Sequence, residues 1–257
     1  MKIRLLSVII PCFNEENNLK RGVLQELASY LNKQRYKWEV LICDDGSADN
    51  SKKAIQEFVA KNNRFRLIEI SHAGKPHAIY AGVKSAVGDI FLFTDMDQST
   101  SISEVEKLLP WFDRGYDIVI GSRGLKREGF SATRKVASVV FRYLRGLFVL
   151  SYIVDTQCGF KAIKADLARE IFPLLSYFRK GSRLAGWSVS AYDAEMLFIA
   201  DKWGYKLKEV FVKWKDNDIS DTKKRSSVRF IHQSINMAKE VINVVINNWR
   251  GTYSARV

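Results

Sequence analysis

Cysteine is scarce in this chain of 257 residues, and Cys12, Cys43 and Cys158 form an odd set without metal-ligand spacing. Two of them lie in apolar, strand-like runs, so they read as reduced structural thiols in a cytosolic compartment. Long apolar runs are also missing. The longest candidate, Gly146–Val154, falls well short of the roughly 18–20 residues a spanning helix needs, and Arg142, Arg145 and Asp155 bracket it. The chain is therefore expected not to cross a membrane. Met1–Pro11 reads as a strand and is too short for a signal peptide. There is no internal repeat and no low-complexity segment. The first strand–helix turn, Pro11–Asn18, lacks the glycine fingerprint of a dinucleotide site, which argues against a nicotinamide dehydrogenase.

Acidic residues are in deficit, 28 against 41 lysines and arginines, and the net charge is +13. Such a balance implies an anionic partner: nucleic acid, an acidic membrane surface or a phosphorylated substrate. Its distribution favours the membrane. Arg123, Lys126, Arg127, Arg134, Lys135, Arg142 and Arg145 are interleaved with Phe130, Val136, Val139, Val140, Phe141, Tyr143 and Leu144, against the single acid Glu128. Basic and apolar residues alternating on a helix suit an interface with anionic lipid better than a DNA groove.

The first half alternates strand and helix patterns. Strands are expected at Leu5–Ile10, Val40–Cys43, Leu67–Ile70, Ile90–Thr94 and Ile118–Ile120. Helices are expected at Glu16–Leu31, Ala48–Ala60, Pro76–Val87 and Ser103–Phe112. Strands separated by helices of this length run parallel, with right-handed crossovers. Their carboxyl ends carry Asn14-Glu15, Asp44-Asp45-Gly46-Ser47, Asp95–Ser99 and Gly121-Ser122-Arg123. Every polar cluster thus falls on the edge where open α/β sheets bind ligands. The second half is less regular. Amphipathic helices are expected within Thr133–Val154, a short strand at Thr156–Ala162, a polar loop at Tyr177–Ser182 and a helix at Asp193–Trp203. A strand follows at Leu207–Trp214, then a charged, mobile linker at Asn217–Ser226 and an amphipathic tail at Val228–Trp249. The division is a domain over 1–215, including a basic interface segment at about 124–154, and a linker plus helix over 216–257.

Asp95-Met96-Asp97 ends the apolar run Ile90–Thr94. Two carboxylates at that place suit Mg²⁺ or Mn²⁺ carrying a diphosphate, because these hard cations take carboxylate and phosphate oxygens. Paired carboxylates would repel nucleic acid unless a metal intervened, so no nucleic-acid partner is expected. His72 and His77 flank Gly74-Lys75 without a third ligand nearby and read as loop histidines. Trp187, Trp203 and Trp214 read as packing residues.

Three runs of the first half, Ser7–Glu16, Asp44–Ser47 and Asp95–Asp97, together resemble the family 2 glycosyltransferases with a GT-A fold. That fold has a mostly parallel central sheet with helices on both faces. Asp155–Lys161 and Tyr192–Glu195 resemble the dolichyl and polyprenyl-phosphate sugar transferases, the β-glucosyltransferase branch in particular. The resemblance covers about Leu5 to Trp214. It implies inverting transfer of a hexose, glucose from UDP-glucose, to a polyprenyl phosphate by a peripheral protein on the cytoplasmic membrane face. GDP-mannose or a UDP-N-acetylhexosamine as donor, and a hydroxyl acceptor, stay open. A processive polymer synthase is disfavoured, since no Gln-x-x-Arg-Trp pattern is present.

By the same resemblance, Pro11, Asn14, Glu15, Asp44 and Asp45 would hold the nucleoside, and Lys75 the phosphates. Asp95 and Asp97 would bind the metal-diphosphate, with Asp97 closer and Ser99 completing the shell through water. Arg123, Arg134 and Lys161 would face the acceptor phosphate, arginine suiting this role through its bidentate fork. A plain turn and helix cap is the competing account of Asp44–Ser47. Asp193 would be a base for a hydroxyl acceptor. With a phosphate acceptor it would orient the sugar or a basic residue, or cap a helix. Several relatives carry membrane helices after the catalytic domain. Here attachment would come from Thr133–Val154, the tail, a partner or a homo-oligomer.

Overall fold

The computed structural model describes residues 5–124, 150, 152–179, 192–220 and 242–254. At its centre are the parallel strands β1 (Leu5–Cys12), β2 (Lys37–Asp44) and β4 (Ile90–Phe93), with β3 (Phe65–Glu69) outside β2. β1 and β4 are apolar almost throughout because both faces are covered, as parallel sheets require. Alternate residues serve opposite faces. Ile9 joins one core cluster with Leu41, Phe91 and Phe93, while Val8 and Ile10 join the other with Val40, Ile42 and Leu92.

The sheet departs from all-parallel at one place. β6 (Lys161–Lys164) lies antiparallel between β4 and β5 (Ile118–Ser122), and β7 (Leu207–Phe211) runs parallel to β5. The order is β3-β2-β1-β4-β6-β5-β7. The strand expected at Thr156–Ala162 therefore begins later. Residues 156–160 form a turn beneath Asp95, where Gly159 packs against its carboxylate.

The helix expected over Glu16–Leu31 is two helices, α1 (Glu16–Lys20) and α2 (Val23–Leu31). Gly22 divides them with a left-handed φ of 88°, which glycine adopts without steric cost. Ser176–Arg179 is a short helix where a polar loop was expected, and Tyr192–Lys202 forms the expected helix.

Part of the region read as linker and tail belongs to the packed body. Residues 242–249 are helical, and Val244 and Tyr253 are buried in a core cluster. The Tyr253 hydroxyl donates to the buried Glu195, which also accepts from the Ser176 amide at 2.9 and 3.0 Å. Ile242 and Trp249 are exposed. Of the segment read as a linker, residues 217–219 are hydrogen-bonded to α1, Arg21 and Ser99, and residues 221–226 lie outside the described residues. Among the described residues, no helix is long and apolar enough to cross a membrane. The basic segment, apart from its ends, lies outside the described residues, as do Arg134 and Trp187.

Candidate active site at the carboxyl edge of the sheet

The loops after β1 and β2 are zipped together. Asn14, with a left-handed φ of 55°, donates its amide to Ser47 Oγ at 3.0 Å, and its Oδ1 accepts from the Ala48 amide at 2.8 Å. The Glu15 amide donates to Ser51 Oγ at 2.7 Å. Asp44 accepts from Ser47 Oγ at 2.5 Å and from the Ser47 amide at 3.2 Å, which closes a turn; the helix that follows begins only at Ser51. Pro11 is a buried position of β1, opposite Cys43.

Asp45, expected at the nucleoside, lies between the loops after β2 and β3. It is fully buried, and its two oxygens accept from the amides of Ala73 at 2.8 Å and Gly74 at 2.9 Å. A buried carboxylate needs such donors. The same bonds fix the loop that leads into the helix Lys75–Ser85. His72 completes the cluster, with Nδ1 2.9 Å from Asp45 Oδ2 and its ring stacked on Phe13 at 4.2 Å. His77 Nδ1 lies 3.1 Å from the Ala73 carbonyl. His72 lies in the loop, as expected, whereas His77 sits in the first turn of the helix Lys75–Ser85.

Beyond this loop pair stands an alternating row of charges. Lys75 Nζ lies 2.5 Å from Asp95 Oδ1, and Lys161 Nζ lies 2.8 Å from Asp193 Oδ1. Burial opposes the charged form of Lys75, but Asp95, Asp193 and Asp97 together raise its pKa above the ordinary lysine value. Lys161 is almost wholly buried and also donates to the Cys158 carbonyl. Of the three roles open to Asp193, the observed contact is the orientation of a basic residue. Gly159 completes the row from below: a Cβ there would stand 2.1 Å from Asp95 Oδ2.

Asp97 Oδ1 accepts from the Ser99 amide at 2.8 Å, and Gln98 between them takes a left-handed φ of 47°. Ser99 Oγ accepts from the Asn217 amide at 3.2 Å, so its hydroxyl contacts the segment following β7. Arg21, at the break between α1 and α2, donates to the main-chain carbonyls of Asp97 and Asn217. Arg123 is held bidentately by Asp155, Nε to Oδ2 at 2.7 Å and Nη2 to Oδ1 at 2.8 Å, with the Trp214 ring alongside. Arg21, Asn217 and the partner role of Asp155 escaped the sequence reading. Their contacts join segments far apart in the chain, although Gly22 marked the helix break.

Glu15 stands beside this turn. Burial pushes its carboxyl up to about 8, a hydrogen bond from Asn18 opposes the rise, and Asp218, Asp97 and Asp95 add to it. The folded chain therefore keeps a proton that the unfolded chain releases from about pH 4.5 upward, so stability falls as pH rises through that window. Glu15→Gln has no proton to lose. It is expected to exceed the parent in stability by a margin growing from about pH 5 to about pH 8 and then levelling, on the order of a few kcal/mol. Denaturant unfolding at acid, neutral and alkaline pH checks this, and a pH-independent difference would refute it.

Among the described residues, no group of three or more His, Cys, Asp or Glu is placed to hold a metal ion by itself. The donor set fits a cation that arrives with its substrate: Asp95 and Asp97 supply two hard oxygens, leaving the remaining positions to diphosphate and water. Gly159 supports that fit by leaving the Asp95 carboxylate room that a side chain would fill.

Residues 7–172, which contain both carboxylates and the zipped loops, match the family Glycosyl transferase family 2. The chain belongs to this family. It is 31% identical over 256 residues to the dolichyl-phosphate beta-glucosyltransferase of Dictyostelium discoideum, covering 93% of this chain and 73% of that one. To the protein of the same name from Drosophila melanogaster it is 32% identical over 233 residues, covering 83% and 68%. Among solved structures it is similar to glucosyl-3-phosphoglycerate synthase from Mycobacterium tuberculosis in complex with Mn²⁺, uridine-diphosphate and glucosyl-3-phosphoglycerate. The TM-score is 0.65 at 19% identity, covering 94% of this chain and 80% of that one. This family 2 transferase therefore has the GT-A fold expected from its motifs, with one antiparallel strand set into the sheet.

Proposed function

We propose that this family 2 transferase moves glucose from UDP-glucose to dolichyl or a related polyprenyl phosphate, with inversion at the anomeric carbon. Glucose and the lipid acceptor rest on the dolichyl-phosphate beta-glucosyltransferases similar to most of the chain. The observation that carries the reaction type is the Lys161–Asp193 pair, 2.8 Å apart beside Asp95 and Lys75. It supports Asp193 as a fixed, oriented anion rather than a proton acceptor.

A phosphate acceptor has no need of such a base. Its second ionisation lies near pH 6, by analogy with phosphorylated side chains, so it reaches the site already anionic. An acceptor oxygen attacks C1 of the sugar, and the C1–O bond to the nucleoside diphosphate breaks with its electron pair on the leaving phosphate. Attack opposite the leaving group inverts C1. Lys75 and Arg123 offset repulsion between the two phosphates, and Asp155 holds the guanidinium in place. Asp193, fixed by Lys161, orients the sugar. A divalent cation bound through Asp95 and Asp97 would neutralise charge on the departing diphosphate. The reaction would take place at the cytoplasmic membrane surface, with the basic segment from Arg123 to Arg145 facing anionic head groups.

The test incubates the full chain with Mn²⁺ or Mg²⁺, a short polyprenyl phosphate and, separately, UDP-glucose, GDP-mannose or UDP-N-acetylglucosamine. Mass spectrometry reads the lipid product. A glucosyl phospholipid from UDP-glucose alone is expected. Product from another donor would refute the sugar, and donor turnover without lipid product would refute the acceptor.

A further inference from the structure

We propose that Arg21 is a positioning residue that clasps the turn Asp97-Gln98-Ser99 to a strap formed by residues 214–220, and that this clasp presents Asp97 to a nucleoside diphosphate and its cation. The inference rests on the donor reading above and assigns a role to two segments that reading does not use.

The guanidinium has its place because Gly22 interrupts the helix. Arg21 caps α1 there, and its side chain reaches the sheet edge. Nη2 donates to the Asp97 carbonyl at 2.6 Å and Nη1 to the Asn217 carbonyl at 2.9 Å. One rigid fork thus ties together main-chain atoms of two segments more than a hundred residues apart.

Both segments need such a tie. The turn carries a non-glycine residue at positive φ, a conformation that persists only where the surroundings impose it. The strap has no helix or sheet ladder of its own in residues 215–220. It is held instead by bonds to the turn. Thr100 bridges Trp214, the Lys215 amide donates to the Ser99 carbonyl at 2.8 Å, and the Asn217 amide donates to Ser99 Oγ at 3.2 Å. The helix on the other side adds a second line of contact, Asn18 Nδ2 to Asp218 Oδ1 at 3.3 Å. Turn, strap and α1 therefore form one unit, and the Arg21 side chain bonds both the turn and the strap.

If the clasp orders Asp97 for binding, its loss weakens donor binding more than chemistry, and it loosens the strap locally. Arg21→Gln and Arg21→Lys in the full chain test this, with hydrogen exchange of peptides spanning 96–100 and 214–220, titration of Mn²⁺ with UDP, and steady-state kinetics. In Arg21→Gln the amides of Lys215 and Asn217 are expected to exchange faster. Affinity for Mn²⁺ with UDP is expected to fall about tenfold and KM for the donor to rise in parallel, with kcat changed less. Arg21→Lys, which keeps the charge without the fork, falls between.

Unchanged exchange in Arg21→Gln, or binding of Mn²⁺ with UDP as tight as in the parent, would overturn the clasp while leaving the donor reading intact. A binding loss accompanied by general melting of the chain would also overturn it in favour of a purely structural role. A parent chain that does not bind Mn²⁺ with UDP would overturn the donor reading, and the clasp's role with it.

Discussion

Asp97→Asn is expected to lower sugar transfer by about 10²–10³-fold while leaving the fold intact, because it removes a charge without removing a hydrogen bond. The amide oxygen of asparagine can still accept from the Ser99 amide, now 2.8 Å from Asp97 Oδ1, and the main-chain carbonyl still meets Arg21. The turn keeps its shape. What disappears is a hard anionic donor for the cation of the metal-diphosphate, which a neutral amide replaces poorly. Transfer measured over a range of Mn²⁺ concentrations, beside thermal melting, checks the prediction. Parent-like activity at limiting metal would remove Asp97 from the site.

Gly159→Ala is expected to separate activity from stability in the same direction, by a steric route. The added methyl would stand 2.1 Å from Asp95 Oδ2 and 2.8 Å from its Cγ, distances that no packed pair of atoms tolerates. The nearest atoms belong to a half-exposed side chain and not to backbone, so the carboxylate can swing aside. Such a rotation costs roughly 0.5–1.5 kcal/mol, and the fold survives. Asp95 then leaves both Lys75 and the place it shares with Asp97. Misplacement by about 1 Å in such a site is worth roughly a hundredfold in rate. Transfer assays with a melting curve read both quantities. A fully active Gly159→Ala chain would show that the position of Asp95 does not matter.

These two positions differ in how legible they were. Asp97 announces itself in one dimension: an apolar strand ending in two carboxylates has its site at the ligand edge by topology alone. Gly159 lies within the run Asp155–Lys161, but its reason is a contact with Asp95 across the insertion of β6. No local pattern records that contact. Asp45 and Asp44 share the same motif and diverge in three dimensions. Both are buried, but Asp44 accepts from Ser47 within its own turn, whereas Asp45 holds the loop at Ala73 and Gly74. Adjacent side chains point to different surroundings, and the neighbouring loop decides which partners each of them bonds.

Lys161 and Asp193 make the same point about chemistry. As separate residues they suggested a phosphate contact for Lys161 and, for Asp193, a base, an orienting group or a helix cap. Their ion pair, across more than thirty residues of chain, is the contact that the sequence did not show. The helix expected from Glu16 to Leu31 had the right periodicity, and a single glycine at positive φ divided it and set Arg21 facing the sheet edge.

The sequence by itself determined the alternation of strands and helices, the convergence of polar loops on one edge, the family and the paired carboxylates. Each follows from short-range patterning or from topology rules that allow few alternatives. Only the tertiary structure decided the antiparallel placement of β6, the burial of Asp45, the pairing of Lys161 with Asp193 and of Arg123 with Asp155, and the strap that Arg21 holds. Those features are contacts between segments distant in the chain, where the surroundings of a charged side chain, and not its identity, settle what it can do.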